Sequence, residues 1–97
     1  MPKRNVLAVQ VTTDGVAVTG HCRMLKTMVM HSGGSDAVVK YYDRTTAPGG
    51  ADPFYSINAY GKGLTQVDMP GNGIRFTNGI YIDLPADCNV TVWYEVA

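Results

Sequence analysis

The sequence has no surplus of either charge. Eight Lys and Arg balance eight Asp and Glu over 97 residues, and only 16% of the chain is charged. A broad basic face that displaces counterions from a polyanion has no material here, which argues against a nucleic-acid binder. Long apolar runs are missing as well. The basic start Met1-Pro2-Lys3-Arg4-Asn5 leads into Val6-Leu7-Ala8-Val9-Gln10-Val11, too short and too polar for a signal-peptide core. No stretch approaches the ~20 apolar residues that span a bilayer. The expectation is a protein that stays in the cytosol where it is made, with neither membrane nor nucleic acid as partner. Cysteine is scarce, with Cys22 and Cys88 far apart. In a reducing compartment each reads as a small buried apolar residue. A disulfide would need the strands that carry them to be neighbours.

Constellations that carry chemistry are equally thin. The only histidines are His21 and His31. His21-Cys22 fails as a nucleophile–base pair because adjacent strand residues point to opposite faces. A zinc set of His21, Cys22, His31 and Cys88 lacks any Cys-x-x-Cys or His-x-x-x-His clamp. The two histidines also sit at opposite ends of one long strand, roughly 33 Å apart at ~3.3 Å per residue. Calcium would need a run such as Asp-x-Asp-x-Asp, which does not occur. Pro70-Gly71-Asn72-Gly73 lacks the Lys-Ser/Thr and following helix of a phosphate loop and reads as hairpin geometry. No enzyme activity, cofactor or metal is expected.

What is present is apolar residue, at 45% of the chain, broken by dense turn signals. Asp14-Gly15, Ser32-Gly33-Gly34-Ser35-Asp36, Ala47-Pro48-Gly49-Gly50, Gly61-Lys62-Gly63, Pro70-Gly71-Asn72-Gly73, Asn78-Gly79 and Pro85-Ala86-Asp87 mark places where the chain can reverse. Between them the period is two. Leu7, Val9 and Val11 share a face, as do Ile80, Ile82 and Leu84, and Val90, Val92 and Tyr94. Strands are expected over 6–12, 15–19, 21–31, 37–43, 54–60, 64–69, 73–77, 80–84 and 89–96, with Asn78-Gly79 as a tight hairpin turn. The fold class is all-β: an antiparallel β-sandwich or jelly roll of about eight short strands, one domain over 6–97 behind a flexible arm at 1–5. Residues 44–53 form the longest irregular stretch, either a solvated connection between sheets or a binding loop.

One strand resists a simple reading. Within 21–31, Met24, Met28 and Met30 share one parity while Leu25 and Val29 share the other. A β-bulge near Lys26-Thr27 would reconcile them. The favoured reading is a strand buried twice, once in the core and once at a subunit contact. The aromatic pairs pose a related problem. In Tyr41/Tyr42, Phe54/Tyr55 and Trp93/Tyr94 one member must point away from the core. Such residues either anchor protein contacts, form sugar platforms, or merely cover the far side of a sheet.

A β core of this size supplies only a few kcal/mol net. Open strand edges, and a segment such as 37–43 with apolar residues on both faces, favour closed symmetric association. Candidate interface residues are Lys3, Arg4, Met28, Met30, Tyr41, Tyr42, Phe54, Tyr55 and Trp93. Lys3 and Arg4 either reach an acidic groove on a neighbour or belong to a frayed terminus.

Arg23-Met24-Leu25-Lys26-Thr27-Met28-Val29-Met30-His31 with the Ser32–Ser35 turn, then Ala37-Val38-Val39-Lys40-Tyr41-Tyr42-Asp43, Met69-Pro70-Gly71-Asn72-Gly73-Ile74-Arg75-Phe76, Gly79–Leu84 and Val90-Thr91-Val92-Trp93-Tyr94 resemble small virion structural proteins of tailed phages. The resemblance spans about residues 20–95 and its motifs serve turns and core, so it transfers no catalytic or binding residue. It implies a β-sandwich or jelly roll in a virus particle, as a head decoration or cement protein or in an appendage. By the same analogy it implies a homotrimer that contacts the major capsid protein or another virion protein. The alternative is a host- or carbohydrate-binding module of a fibre or tail appendage. An enzyme or inhibitor would need a cleft with a paired base and nucleophile.

Overall fold

A computed structural model describes residues 5–96; Lys3 and Arg4 lie outside them. Among the described residues there is no helix, and nine strands form in the alternating segments: β1 (Leu7–Val11), β2 (Gly15–Thr19), β3 (Cys22–His31), β4 (Ala37–Tyr42), β5 (Tyr55–Ala59), β6 (Gly63–Asp68), β7 (Ile74–Phe76), β8 (Gly79–Asp83) and β9 (Cys88–Val96). One sheet has the order β1-β9-β3-β6, with β7 also on β3; the second has the order β2-β8-β4-β5. Every pairing is antiparallel.

The order has a simple origin. β1 pairs with β9, β2 with β8, β3 with β6, and β4 with β5. That is one long antiparallel ribbon, folded at the β4–β5 connection and rolled so that successive pairs fall in alternate sheets. A ribbon rolled in this way is a jelly roll. β6 and β7 do not pair with each other. Both run antiparallel to β3 on its same side, β6 opposite Lys26–His31 and β7 opposite Cys22–Met24. They are one edge strand interrupted by the Pro70–Gly73 turn, closed by Gly73 N–H donating to the Pro70 carbonyl at 3.1 Å. This corrects the hairpin reading of that turn, and leaves eight strands in the ribbon.

The interruption explains the irregular parity of β3. Its register against β9 shifts between Met24, opposite Tyr94, and Lys26, opposite Trp93, so Leu25 is the extra residue of a bulge. The Leu25 carbonyl accepts Met69 N–H at 3.0 Å, where the neighbour changes from β6 to β7. Cys22 and Met24 face the core before the bulge, and Thr27, Val29 and His31 after it. The slipped alternation is therefore the work of a bulge, one residue before the expected Lys26-Thr27 position, and Met30 is 52% exposed on the single subunit. Asn78-Gly79 is likewise not a hairpin turn. β7 lies in one sheet and β8 in the other, so the dipeptide turns a corner between layers. Asp43 braces that corner by accepting the N–H of Thr77 (3.1 Å) and of Asn78 (2.7 Å).

The core comprises the inward residues of both sheets, including Met24, Val29, Val39, Phe76, Ile80, Ile82, Val90 and Val92. It contains one polar bridge. Thr27 Oγ1 on β3 and the Tyr41 hydroxyl on β4 are hydrogen-bonded at 2.6 Å, both fully buried, and so tie the two sheets together. Burial pushes the Tyr41 phenol well above its ordinary pKa, against a lowering by the Thr27 hydrogen bond. Cys22 and Cys88 are both buried as thiols. Cys88 stands opposite His31, at the far end of β3 from Cys22. At ~3.3 Å per residue that is roughly 30 Å, which no disulfide spans.

Candidate interaction surfaces

The outer face of the β1-β9-β3-β6 sheet is laid out by register. Past the bulge, Ala8, Trp93, Lys26 and Asp68 form one row, and Gln10, Thr91, Met28 and Gln66 the next. Asn89, Met30 and Leu64 form the last row, with Leu64 61% exposed. Lys26 Nζ lies 4.7 Å from the centre of the Trp93 ring, an attraction of about 0.5–1 kcal/mol at an exposed site. One face of that indole is thereby occupied. Met30 and Leu64 floor a groove of about 440 Å³ whose rim includes Ser32, Lys62, Asp87 and Asn89.

The other sequence-predicted interface residues divide between surface and interior. Met28 is half-buried and Trp93 is half-buried on the same outer face. Tyr41 is in the core with no exposed surface, a correction that follows from its bridge to Thr27. Tyr55 stands opposite Tyr41 in the ladder, with ring centres 5.7 Å apart, and packs partly buried against the core. Tyr42 takes the opposite face of β4, but beside Tyr81 it is only 5% exposed. Phe54 is half exposed, yet its ring meets the buried Phe76 edge-on at 5.0 Å. Tyr41, Tyr42 and Tyr55 thus serve packing within the subunit.

The end of the sandwich near His31 is closed by its own loops. His31 Nε2 donates to the Ser35 carbonyl at 2.5 Å, and Nδ1 accepts Gly33 N–H at 3.3 Å while lying 3.3 Å from the Asp87 carbonyl. Lys62 N–H donates to the Gly33 carbonyl (2.8 Å), and Gly61 N–H to Asp36 Oδ1 (2.9 Å). A Cβ on Gly61 would come within 2.7 Å of the Gly34 carbonyl oxygen, so glycine is required by that close approach. Beside these loops Asp36, Val38, Asn58 and Tyr60 line an open depression of about 280 Å³. Tyr60 is 59% exposed.

Sequence reasoning missed Lys26, Leu64 and Tyr60. Their signal was parity, which places Leu64 opposite Met30 only once the register of β6 is known. Among the described residues no group of three or more His, Cys, Asp or Glu side chains is arranged to hold a metal. Comparison with protein-family models, with curated proteins and with solved structures finds no match to this chain.

Proposed function

We propose that this chain is a structural subunit of a virus particle, a decoration or cement protein that associates with copies of itself and docks on the shell. The observation that carries this reading is the strip of Met28, Met30 and Leu64 on the outer face of a sheet whose edge strands β1 and β6 have no further strand beside them among the described residues. Apolar side chains beside unpaired strand edges are the surface that association buries. The jelly-roll order agrees with the virion resemblance at the level of fold, which by itself is analogy. Many weak copies of such a contact multiply on a symmetric shell. Light scattering is expected to give a trimer of the 10.5 kDa chain, and the protein is expected to sediment with expanded phage heads. Met30→Glu and Leu64→Glu should each abolish both behaviours while leaving the fold intact. A wild-type monomer that ignores heads removes the reading.

A host- or carbohydrate-binding role is the second reading, favoured by one feature. Tyr60 offers an exposed ring between the carboxylate of Asp36 and the amide of Asn58, the pairing of apolar face and polar groups that a sugar needs. Binding on a glycan array that is lost in Tyr60→Ala would establish it.

A further inference from the structure

Before the bulge, the outer face of β3 has a different character. Arg23 stands directly opposite Arg75 of β7, and on its other side opposite Glu95 of β9. Like charges at directly opposed positions of an antiparallel pair destabilise it. The bond that holds Arg75 in this arrangement runs to a histidine. Arg75 Nε donates to His21 Nε2 at 2.7 Å. Arginine only donates, so this imidazole nitrogen carries no proton and acts as acceptor. Nε is taken by His21, so an end-on, two-point contact would use the two terminal nitrogens of Arg75. Arg75 is exposed, and Arg23 and His21 are half-buried. Asp43, the carboxylate on the adjoining loop, is turned to the backbone of Thr77 and Asn78. Two guanidinium groups opposed across the ladder, one of them oriented by a histidine, are the donors that a carboxylate matches.

We propose that Arg23 and Arg75 form a receptor for carboxylates on an acidic segment of a partner protein, with His21 as the positioning residue for Arg75. The inference goes beyond the assembly reading and does not depend on it. The cluster lies at the opposite end of β3 from Met30 and Leu64. Guanidinium forks match carboxylates two bonds at a time. A nucleic acid fits less well, because it needs a longer cationic track than two arginines supply.

The test is an NMR titration of the full chain with hexaglutamate at low salt, reading arginine side-chain and His21 resonances. Saturable shifts centred on Arg23, Arg75 and His21 are expected, weakened at least tenfold in Arg23→Gln and in Arg75→Gln. His21→Ala should weaken binding several-fold, and His21→Gln, whose amide oxygen can accept from Nε, should restore most of it. All four substitutions fall on exposed or half-buried side chains, and unchanged backbone spectra establish that each variant is folded. Parallel arms use inorganic phosphate and a short DNA duplex. No shift at the two arginines with hexaglutamate overturns the proposal. Tighter binding of DNA or phosphate than of hexaglutamate at the same residues overturns the carboxylate assignment.

Discussion

The two halves of β3 differ in almost everything but backbone conformation. From Lys26 to His31 the strand is flanked by β6 and β9, its inner face bridges to the opposite sheet through Thr27, and its outer face carries Met28 and Met30. From Cys22 to Met24 it is flanked by the three-residue β7 and again by β9, its inner face is a thiol and a thioether, and its outer face carries an arginine between an arginine and a glutamate. The bulge at Leu25 separates them. One inserted residue exchanges the faces of everything beyond it, so a single strand serves an apolar surface at one end and a cationic one at the other.

The sharpest way to break this division is at the bulge itself. Gly73 has φ +92°, and a Cβ there would sit 2.5 Å from the Met24 carbonyl oxygen and 2.9 Å from Leu25 Cδ2. Gly73→Ala is expected to cost about 3 kcal/mol, from left-handed backbone strain plus overpacking, read as a lowered urea midpoint. Next is the bridge in the far half. Tyr41→Phe strands the buried Thr27 hydroxyl and should cost about 1–3 kcal/mol. Adding Thr27→Val should recover part of that loss, and since Thr27→Val alone strands the Tyr41 hydroxyl, a double-mutant cycle should find the double variant costing less than the sum of the two singles.

How much of this was legible beforehand follows from which residues carry it. All nine strand segments could be read beforehand, β1, β8 and β9 from a clean period of two and the others from short runs of strand-forming residues between turn signals. The position of Tyr41 could not. Tyr41 and Tyr42 are chemically identical neighbours, and only the partner across the core, Thr27, decides which one is interior. The same holds for Arg23 and Arg75, 52 positions apart in the chain and paired only because β7 continues the path of β6 along β3.

Two smaller effects sharpen the comparison from the near half. Burial, aided by the charge of Asp43, pushes the Cys22 thiol up to about 11 from its ordinary 9.0. The unfolded thiol loses its proton first, so this contribution is complete below pH 9 and is lost as pH rises through about 11. Urea midpoints measured under reducing conditions should fall over that range, and fall less in Cys22→Ala. A decline remains from Cys88 and Tyr41, whose ionisation burial also opposes. The smallest effect is near zero. Arg23→Gln relieves the like-charge pair with Arg75 but removes the opposite charge across from Glu95, so the two offset to within about a few tenths of a kcal/mol, read as a thermal midpoint close to that of the wild type.

The amino-acid order alone determined an all-β chain: the period-two runs, their lengths, and the glycine and proline turns between them. These are local, set by backbone sterics and by the need of each strand to bury one face. Tertiary structure decided the rest. It made Pro70–Gly73 an interruption instead of a hairpin, Asn78-Gly79 a corner between layers, and Leu25 the point where β3 turns over. Each depends on which distant strand lies alongside, and pairing partners are chosen by packing of the whole ribbon, a property that no short window of residues contains.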